Sequence, residues 1–211
     1  MAGEARPGIP FVGLTGGMGA GKTEALAALE RAGAATLSSD AVVRELLETD
    51  EVRDALTGRF GPEVAPGGRV NRDALARLVF ADPDQRSWLE GHLWPKVGER
   101  IWAWRQELEG RDPRPRAAVV EVPLLFESGM GEAFDHTIAV VAHDDLRAER
   151  IGERGHSGIA SREERQLSQD EKSQRADFTV RNDETVEELE RELSSILESI
   201  ESDPHAVTPE P

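Results

Sequence analysis

The stretch LTGGMGAGKT, Leu14 to Thr23, decides the fold of this 211-residue chain. It fits the pattern G-x-x-x-x-G-K-[ST], with Gly16 first and Gly21, Lys22 and Thr23 last. Glycines allow a loop to curl so that successive backbone N–H groups point inward, and phosphate oxygens can then approach the backbone closely. The stretch therefore predicts a phosphate-binding loop, in which Lys22 reaches the β- and γ-phosphates of a nucleotide and the Thr23 hydroxyl ligates Mg²⁺.

The segments on either side of the loop have the periodicities that such a motif requires. An apolar run, Ile9 to Leu14, predicts a strand before it, and the residues from Glu24 to Arg31 predict a helix that ends near Gly33. A helix that begins near Lys22 would direct its N-terminal amides and its dipole at an anion. These flanks favour the phosphate loop over the alternative, a glycine-rich turn that matches the pattern by chance.

Short apolar runs alternate with helical patterns along the rest of the chain. Five runs are typical of buried parallel strands: Pro10 to Leu14, Ala35 to Leu37, Ala117 to Val122, Thr137 to Ala142, and Phe178 to Val180. An apolar stripe at helical spacing from Val186 to Ile200 predicts a final helix that packs on the core. The alternation predicts an α/β fold, a three-layer sandwich with helices on both faces of a five-stranded parallel sheet.

A long helical insertion separates the second run from the third. About eighty residues lie between Leu37 and Ala117, too many for one crossover helix. The helical patterns there are Asp40 to Leu47, Val52 to Phe60, Arg72 to Phe80, and Gln85 to Leu108. The insertion also holds all four tryptophans, Trp88, Trp94, Trp102 and Trp104. We interpret them as packing residues, and the alternative is that they line a ligand pocket.

A second insertion, Asp144 to Arg175, is rich in cations although the chain is acidic. Its basic side chains are Arg147, Arg150, Arg154, Arg162, Arg165, Lys172 and Arg175. Arginine forks match phosphate oxygens in pairs, and a helical flap that carries them could close over a triphosphate and exclude water. The alternative is a solvated helical face on which some of these arginines pair with neighbouring glutamates.

The composition excludes several classes of partner. With 41 acidic and 25 basic residues, the chain has a net charge of −16, which opposes binding to nucleic acid. No apolar run approaches the length of a membrane span, so no membrane partner is expected. The chain has no cysteine, which excludes disulfides and suits a cytoplasmic protein.

A carboxylate follows the second predicted strand. Asp40 lies at the carboxyl edge of the sheet, where ligands of open α/β sheets bind. There it could accept the proton of an acceptor hydroxyl and support Mg²⁺ through water. The alternative, that Asp40 only caps the helix from Ala41 to Leu47, stays open at this point. The D-x-x-G and N-K-x-D patterns of switch GTPases do not occur, so a small-molecule kinase is favoured.

Several motifs resemble those of the bacterial dephospho-CoA kinase family, from Phe11 to about Ile200. They are LTGGMGAGK at Leu14 to Lys22, DAVVR at Asp40 to Arg44, FADP at Phe80 to Pro83, VPLLFE at Val122 to Glu127, the lid residues Arg162, Gln166, Lys172 and Arg175 to Asp177, and RND at Arg181 to Asp183. The chain departs from the family pattern at Ser38, where an acidic residue is usual, and at Trp94, where histidine is frequent.

The resemblance implies a P-loop NTPase-type core with a helical substrate domain and a helical lid. The expected core comprises residues 9–45, 115–143 and 176–200, the CoA-binding domain residues 46–114, and the lid residues 144–175. Residues 1–8 and 201–211 are expected to be disordered ends. The implied reaction is ATP-dependent phosphorylation of the ribose 3′-hydroxyl of dephospho-CoA, the last step of coenzyme A synthesis, with ATP as co-substrate and Mg²⁺ as cofactor.

The motif and the resemblance together assign three sets of residues. The catalytic set is Asp40, Lys22 and Arg150. The ATP-binding set is Gly17, Met18, Gly19, Ala20, Gly21, Lys22, Thr23, Glu24, Arg154 and Asn182. The substrate-binding set is Arg44, Leu124, Phe126, Glu127 and Arg162, and Thr23 is the metal ligand.

Two other functions stay open at this stage. One is a P-loop kinase that acts on another nucleoside, nucleotide or small alcohol, and the other is a nucleotide-binding module without catalysis. The length of the helical insertion favours a long acceptor, and Asp40 together with the arginine-rich insertion favours catalysis. A monomer or a weak homo-oligomer is expected.

Overall fold

The computed structural model describes residues 8–153 and 166–202 and divides into two compact units. The sheet unit combines the chain up to Leu37 with the chain from Arg105 onward, and the helical unit comprises Ser38 to Trp104. Each unit has a hydrophobic cluster of its own.

The strands are β1 Phe11–Gly16, β2 Ala35–Ser38, β3 Ala118–Glu121, β4 His136–Val141 and β5 Phe178–Arg181. They form one sheet in the order β2-β3-β1-β4-β5. Strand β1 pairs in parallel with both β3 and β4, and β4 pairs in parallel with β5. All residues of β1 and β4 are buried, as expected for parallel strands that are covered on both faces. The predicted five-stranded parallel sheet is confirmed.

The described helices are α1 Lys22–Arg31, α2 Ser39–Leu46, α3 Asp50–Phe60, α4 Arg72–Ala81, α5 Pro83–Glu109, α6 Asp144–Glu153, α7 Gln169–Arg175 and α8 Val186–Glu201. Helix α5 begins two residues before the prediction, since Pro83 suits the first helical position and the side chain of Asp82 accepts the backbone N–H of Asp84 at 2.9 Å. Within the described ranges, no helix has both the length and the apolarity that crossing a bilayer requires.

The core of the sheet unit lies where α1 and α8 cover the sheet. Leu29 of α1 and Leu193 and Leu197 of α8 are fully buried in one cluster with Val12 and Ile138 of the strands. Helix α8 begins with a capping box, in which Thr185 and Glu188 each satisfy a backbone N–H of the other. The predicted final helix is therefore confirmed, and its apolar stripe is buried from Leu189 to Ile200 but not at Val186, which is 46% exposed.

The helical unit packs around α3, α4 and the first part of α5. Trp88 lies against its cluster and meets the ring of Phe60 edge-on at 5.5 Å, and the guanidinium of Arg59 lies 5.4 Å from the Trp88 ring centre. Trp94 and Trp102 are 43% and 51% exposed. The packing interpretation is thus right for Trp88 and wrong for these two residues, whose positions on α5 face outward.

Candidate active site

The loop between β1 and α1 requires glycine for both conformation and space. Gly19 and Gly21 have φ values of 76° and 92°, in the left-handed region that side chains disfavour. A Cβ atom on Gly19 would lie 2.7 Å from the backbone oxygen of Arg147, and one on Gly21 would lie 1.9 Å from Nδ2 of Asn182. The curl of the loop thus depends on Gly21, which the motif requires, and on Gly19, which lies at a variable position of the motif.

Lys22 is the first residue of α1, and its side chain folds back along the loop. Its Nζ donates hydrogen bonds to the carbonyl oxygens of Gly16 at 3.0 Å and Gly17 at 3.1 Å. The ammonium and the N-terminus of α1 therefore place positive charge at the loop, where a polyphosphate would be stabilised.

The side chains of the next two residues of α1, Thr23 and Glu24, differ in their contacts and in their accessibility to a ligand. Thr23 is exposed, so its hydroxyl is accessible to a metal ion held mainly by phosphate and water oxygens. The carboxylate of Glu24 accepts a hydrogen bond from Arg31 at 3.0 Å, so its side chain is directed along the helix. Among the residues that the structure describes, no cluster of three or more His, Asp or Glu side chains could hold a metal ion.

Two arginines of α6 contact the loop from the same helical face. Nε of Arg147 donates to the carbonyl of Met18 at 2.8 Å, and Nη1 of Arg150 donates to the carbonyl of Gly19 at 3.4 Å. In the sequence, Arg147 is one of the cations of the second insertion and has no predicted role at the site. Its spacing of three residues from Arg150 is the signal that would have included it. Arg154 and Arg162 lie outside the described residues.

Asn182 links the loop to the end of strand β4 and to Arg150 through hydrogen bonds. Its buried side chain donates from Nδ2 to the carbonyl of Ala20 at 2.9 Å, and its own carbonyl accepts a hydrogen bond from Arg150 at 3.1 Å. Its backbone N–H is bonded to the carbonyl of Val141 at the end of β4. The structure thus gives Asn182 a contact with the nucleotide loop that the sequence did not anticipate.

A cleft opens between the loop, α6 and the segment that leads into α7. Its lining residues are Gly17, Asp144, Arg147, Gln166, Leu167, Ser168, Gln169 and Asp170. The side-chain amide of Gln169 pairs with both the N–H and the carbonyl of Ala142 at 2.9 Å, and Asp144 accepts a hydrogen bond from Arg147 at 2.7 Å. The two ends of the second insertion are therefore anchored beside the loop.

The segment after β3 presents the residues of the VPLLFE motif. Leu125 is fully buried, whereas Leu124, Phe126 and Glu127 are half-buried. The carboxylate of Glu127 accepts the backbone N–H of Leu167 at 2.8 Å through Oε1. The motif therefore connects the segment after β3 to the end of the second insertion.

Lys172 belongs to neither class predicted for the cations of the second insertion. It is fully buried on α7 and forms an ion pair of 2.9 Å with Glu127. Its Nζ also donates to Oγ1 of Thr15 at 3.2 Å and to the carbonyl of Pro123 at 2.6 Å. Burial lowers the pKa of Lys172, and the hydrogen bond and charge of Glu127 oppose that effect. Lys172 is thus a core residue rather than part of a flap or a solvated face.

The helical unit carries Asp40, the predicted catalytic carboxylate. Ser38 occupies the N-cap position of α2, and Asp40 lies inside the first turn of this helix. The alternative that Asp40 caps the helix is therefore wrong. Arg44 follows one helical turn later, and both side chains are exposed. A carboxylate and a guanidinium on one helical face are accessible to a ligand.

The chain resembles known proteins over most of its length. The family model for dephospho-CoA kinase matches residues 10–188. The dephospho-CoA kinase of Deinococcus radiodurans is 36% identical over 193 residues, which cover 90% of this chain and 92% of that protein. The dephospho-CoA kinase of Thermus thermophilus is 33% identical over 190 residues, which cover 89% and 90% of the two chains.

Solved structures agree with this similarity. A crystal structure of a Thermus thermophilus protein superposes with a TM-score of 0.77 at 32% identity, covering 91% of this chain and 98% of that chain. The dephospho-CoA kinase from Campylobacter jejuni superposes with a TM-score of 0.65 at 23% identity, covering 90% and 96% of the two chains. The second likeness supports the fold alone.

Proposed function

This chain belongs to the dephospho-CoA kinase family, and we propose that it transfers the γ-phosphoryl group of ATP to the ribose 3′-hydroxyl of dephospho-CoA. The products are coenzyme A and ADP, and the reaction is the last step of coenzyme A biosynthesis. The observation that carries the proposal is the family match over residues 10–188, which includes the nucleotide loop and the lysine folded against it.

On the nucleotide side, the loop Gly17–Thr23 wraps the phosphates of ATP with its backbone N–H groups. Lys22, Arg147 and Arg150 offset the negative charge that the transferring phosphoryl group spreads over its oxygens. This role is supported by the contacts that all three side chains make with the loop backbone. Because the cations already lie at the loop, they need to move little when the phosphates bind. The exposed hydroxyl of Thr23 would help to hold Mg²⁺, which would supply further positive charge at the phosphates.

On the acceptor side, Asp40 orients or deprotonates the ribose hydroxyl for in-line attack. Its exposure and its place in the first turn of α2 support this role, because a carboxylate must be free to meet a ligand proton. Arg44 lies beside the acceptor. The half-buried residues of the VPLLFE motif, namely Leu124, Phe126 and Glu127, contact its surface. Arg154 and Arg162 remain candidates for the lid.

The same proposal divides the work among parts of the chain. Residues 46–114 bind the acceptor, because an insertion of this length can enclose a ligand as long as dephospho-CoA. Residues 144–175 form the lid that excludes water as a competing acceptor. The enzyme works in the cytoplasm as a monomer or a weak homo-oligomer.

An acceptor panel tests this function. Release of ADP is measured with dephospho-CoA, with other nucleosides, nucleotides and small alcohols, and without any acceptor. We expect turnover to depend on dephospho-CoA and the product to carry a new phosphate on the 3′-oxygen, identified by phosphorus NMR. Lys22→Ala serves as the control that abolishes use of ATP.

Two results would contradict the proposal. If dephospho-CoA released no more ADP than water alone, the assigned acceptor would be wrong. If ATP bound tightly but no acceptor on the panel increased turnover, the chain would be a nucleotide-binding module without catalysis.

A further inference from the structure

A buried ion pair lies under the entrance to the nucleotide loop. Nζ of Lys172 is 2.9 Å from Oε1 of Glu127, and the two side chains are 0% and 13% exposed. Removing two charges from water is unfavourable, and apolar side chains of similar volume often give an equally stable or more stable core. A contribution to stability is therefore a weak explanation for this pair.

The ammonium of Lys172 joins two segments that border the site. One bond goes to Oγ1 of Thr15, the residue before the first glycine of the loop motif. Another goes to the carbonyl of Pro123, near the start of the segment that contains Glu127. Because Lys172 is fully buried, its position is set by packing, and these bonds hold the two segments at a constant separation.

The carboxylate of Glu127 is fixed through one oxygen only. Oε1 forms the ion pair with Lys172 and accepts a hydrogen bond from the backbone N–H of Leu167. Oε2 is buried and has no hydrogen-bond partner among the described residues. A buried carboxylate oxygen without a donor is unfavourable, so the two bonds to Oε1 are what hold the carboxylate in this place. Lys172 thus fixes the position of the Glu127 side chain.

We propose that Lys172 is a positioning residue for the phosphoryl transfer: it holds Glu127, and with it the half-buried side chains of Leu124 and Phe126 in the same segment, in the place where the acceptor binds. The proposal rests on the function assigned above, in which Glu127 contacts dephospho-CoA. Lys172 acts through Glu127 and does not itself touch either substrate. Its burial is the reason, since no part of its side chain is exposed.

A double-mutant cycle in the full-length enzyme tests the proposal. The variants are Lys172→Met, Glu127→Gln and the double variant that carries both substitutions. For each, kcat, the KM for dephospho-CoA and the Kd of ATP are measured. Because a small misplacement of a positioned group can lower turnover by about 10²-fold, we expect a kcat loss of that order in Lys172→Met. In the Glu127→Gln background the same change should lower kcat by less than about threefold, because the two residues act as one unit.

Three further measurements separate positioning from folding. The Kd of ATP should change by less than about threefold in Lys172→Met, because the cations that contact the loop are retained. Gln174→Ala changes an exposed side chain of the same helix and leaves the bonds of Lys172 in place, so its kcat should stay close to that of the parent. Arg116→Met removes an ion pair with Glu201 before β3, at the opposite edge of the sheet from the loop, and controls for the loss of a cation.

The proposal is overturned if Lys172→Met lowers the Tm but leaves kcat within about twofold of the parent. An equal loss of kcat in both backgrounds would also overturn it, because Lys172 would then act independently of Glu127. If Lys172→Met does not fold, Glu127→Gln decides: a kcat within about twofold of the parent would overturn the proposal, because Lys172 acts only through Glu127. Absence of acceptor-dependent turnover in the parent would instead refute the proposed function.

Discussion

The side chain of Asn182 shows how a single amide shapes the nucleotide loop. Asn182 and Ala20 are both buried, and the 2.9 Å bond between them joins the end of β5 to the middle of the loop. The backbone N–H of Asn182 is itself bonded to Val141, so the amide is held by the sheet. The shape of the loop thus depends on this contact with the sheet as well as on its own glycines.

Replacing Asn182 with alanine should loosen the loop. The carbonyl of Ala20 would lose its donor, which costs about 1–3 kcal/mol for a buried group. If about 1.4 kcal/mol of this appears in nucleotide binding, the KM for ATP rises about tenfold. Steady-state kinetics with varied ATP measure this change, and thermal unfolding measures the loss of stability.

Asn182→Asp is the matched control for this change. Aspartate has the same shape but lacks the amide donor, so it should weaken ATP binding at least as much as alanine does. An unchanged KM for ATP in both variants would mean that the bond to Ala20 is irrelevant to the loop.

At the scale of elements, the last turn of α8 is fastened to the chain before β3. The guanidinium of Arg116 donates to both carboxylate oxygens of Glu201, at 2.9 Å and 2.6 Å, and to the carbonyl of Ala32 at the end of α1 at 3.2 Å. One side chain therefore joins α1, α8 and the entrance of β3, at the amino ends of the strands and away from the nucleotide loop.

This fastening should weaken in acid. The hydrogen bonds from Arg116 hold the pKa of Glu201 below its ordinary value of 4.5. A carboxylate with a depressed pKa contributes stability that is present above the ordinary value and is lost as the pH falls through the folded-state value. Because the pair is partly exposed, Glu201→Gln should reduce the free energy of unfolding by only about 0.5 kcal/mol at pH 7, and by almost nothing near about pH 2.

Urea unfolding at several pH values measures the difference between the parent and Glu201→Gln. Glu192→Gln, on the exposed face of the same helix, is the control and should match the parent throughout. A difference for Glu201→Gln that persisted or grew as the pH fell below 4.5 would contradict the ion pair as its cause.

At the scale of the whole molecule, the predicted functions fall on two units with separate cores. The sheet unit contains the nucleotide loop and the cations that contact it, and the helical unit contains Asp40 and Arg44. Asp40 takes part in none of the loop hydrogen bonds described above, which Lys22, Arg147, Arg150 and Asn182 donate. This division allows binding of ATP and use of the acceptor to be tested independently.

Asp40→Asn should separate the two activities. We expect turnover with dephospho-CoA to fall by about 10²–10⁴-fold, the usual contribution of a general base, while the Kd of ATP stays close to that of the parent. Single-turnover kinetics and ATP titration by calorimetry measure the two quantities. Asp73→Asn, a first-turn carboxylate of α4 in the same unit, is the control and should keep full turnover.

Unchanged turnover in Asp40→Asn would remove Asp40 from the mechanism. A large loss of ATP binding would show instead that Asp40 supports the nucleotide site, contrary to its assignment to the acceptor.

Local patterns in the sequence determined the elements of this protein and the chemistry of its loop. The glycine spacing of LTGGMGAGKT predicted a loop that the backbone angles of Gly19 and Gly21 bear out. Each apolar run became a strand, and the predicted helices end within two or three residues of the observed bounds. Periodicity and glycine content are properties of neighbouring residues, so they can be read without knowledge of the fold.

Tertiary structure alone decided which distant side chains support the loop. Arg147 contacts Met18 across 129 residues, Lys172 reaches Thr15 across 157, and Asn182 reaches Ala20 across 162. These bonds exist because β1 lies between β3 and β4, an order that no local pattern specifies. A cation in a helical segment looks the same in sequence whether it faces water or a carboxylate in the core. Only the packing of strands far apart in the chain makes Lys172 a buried partner of Glu127.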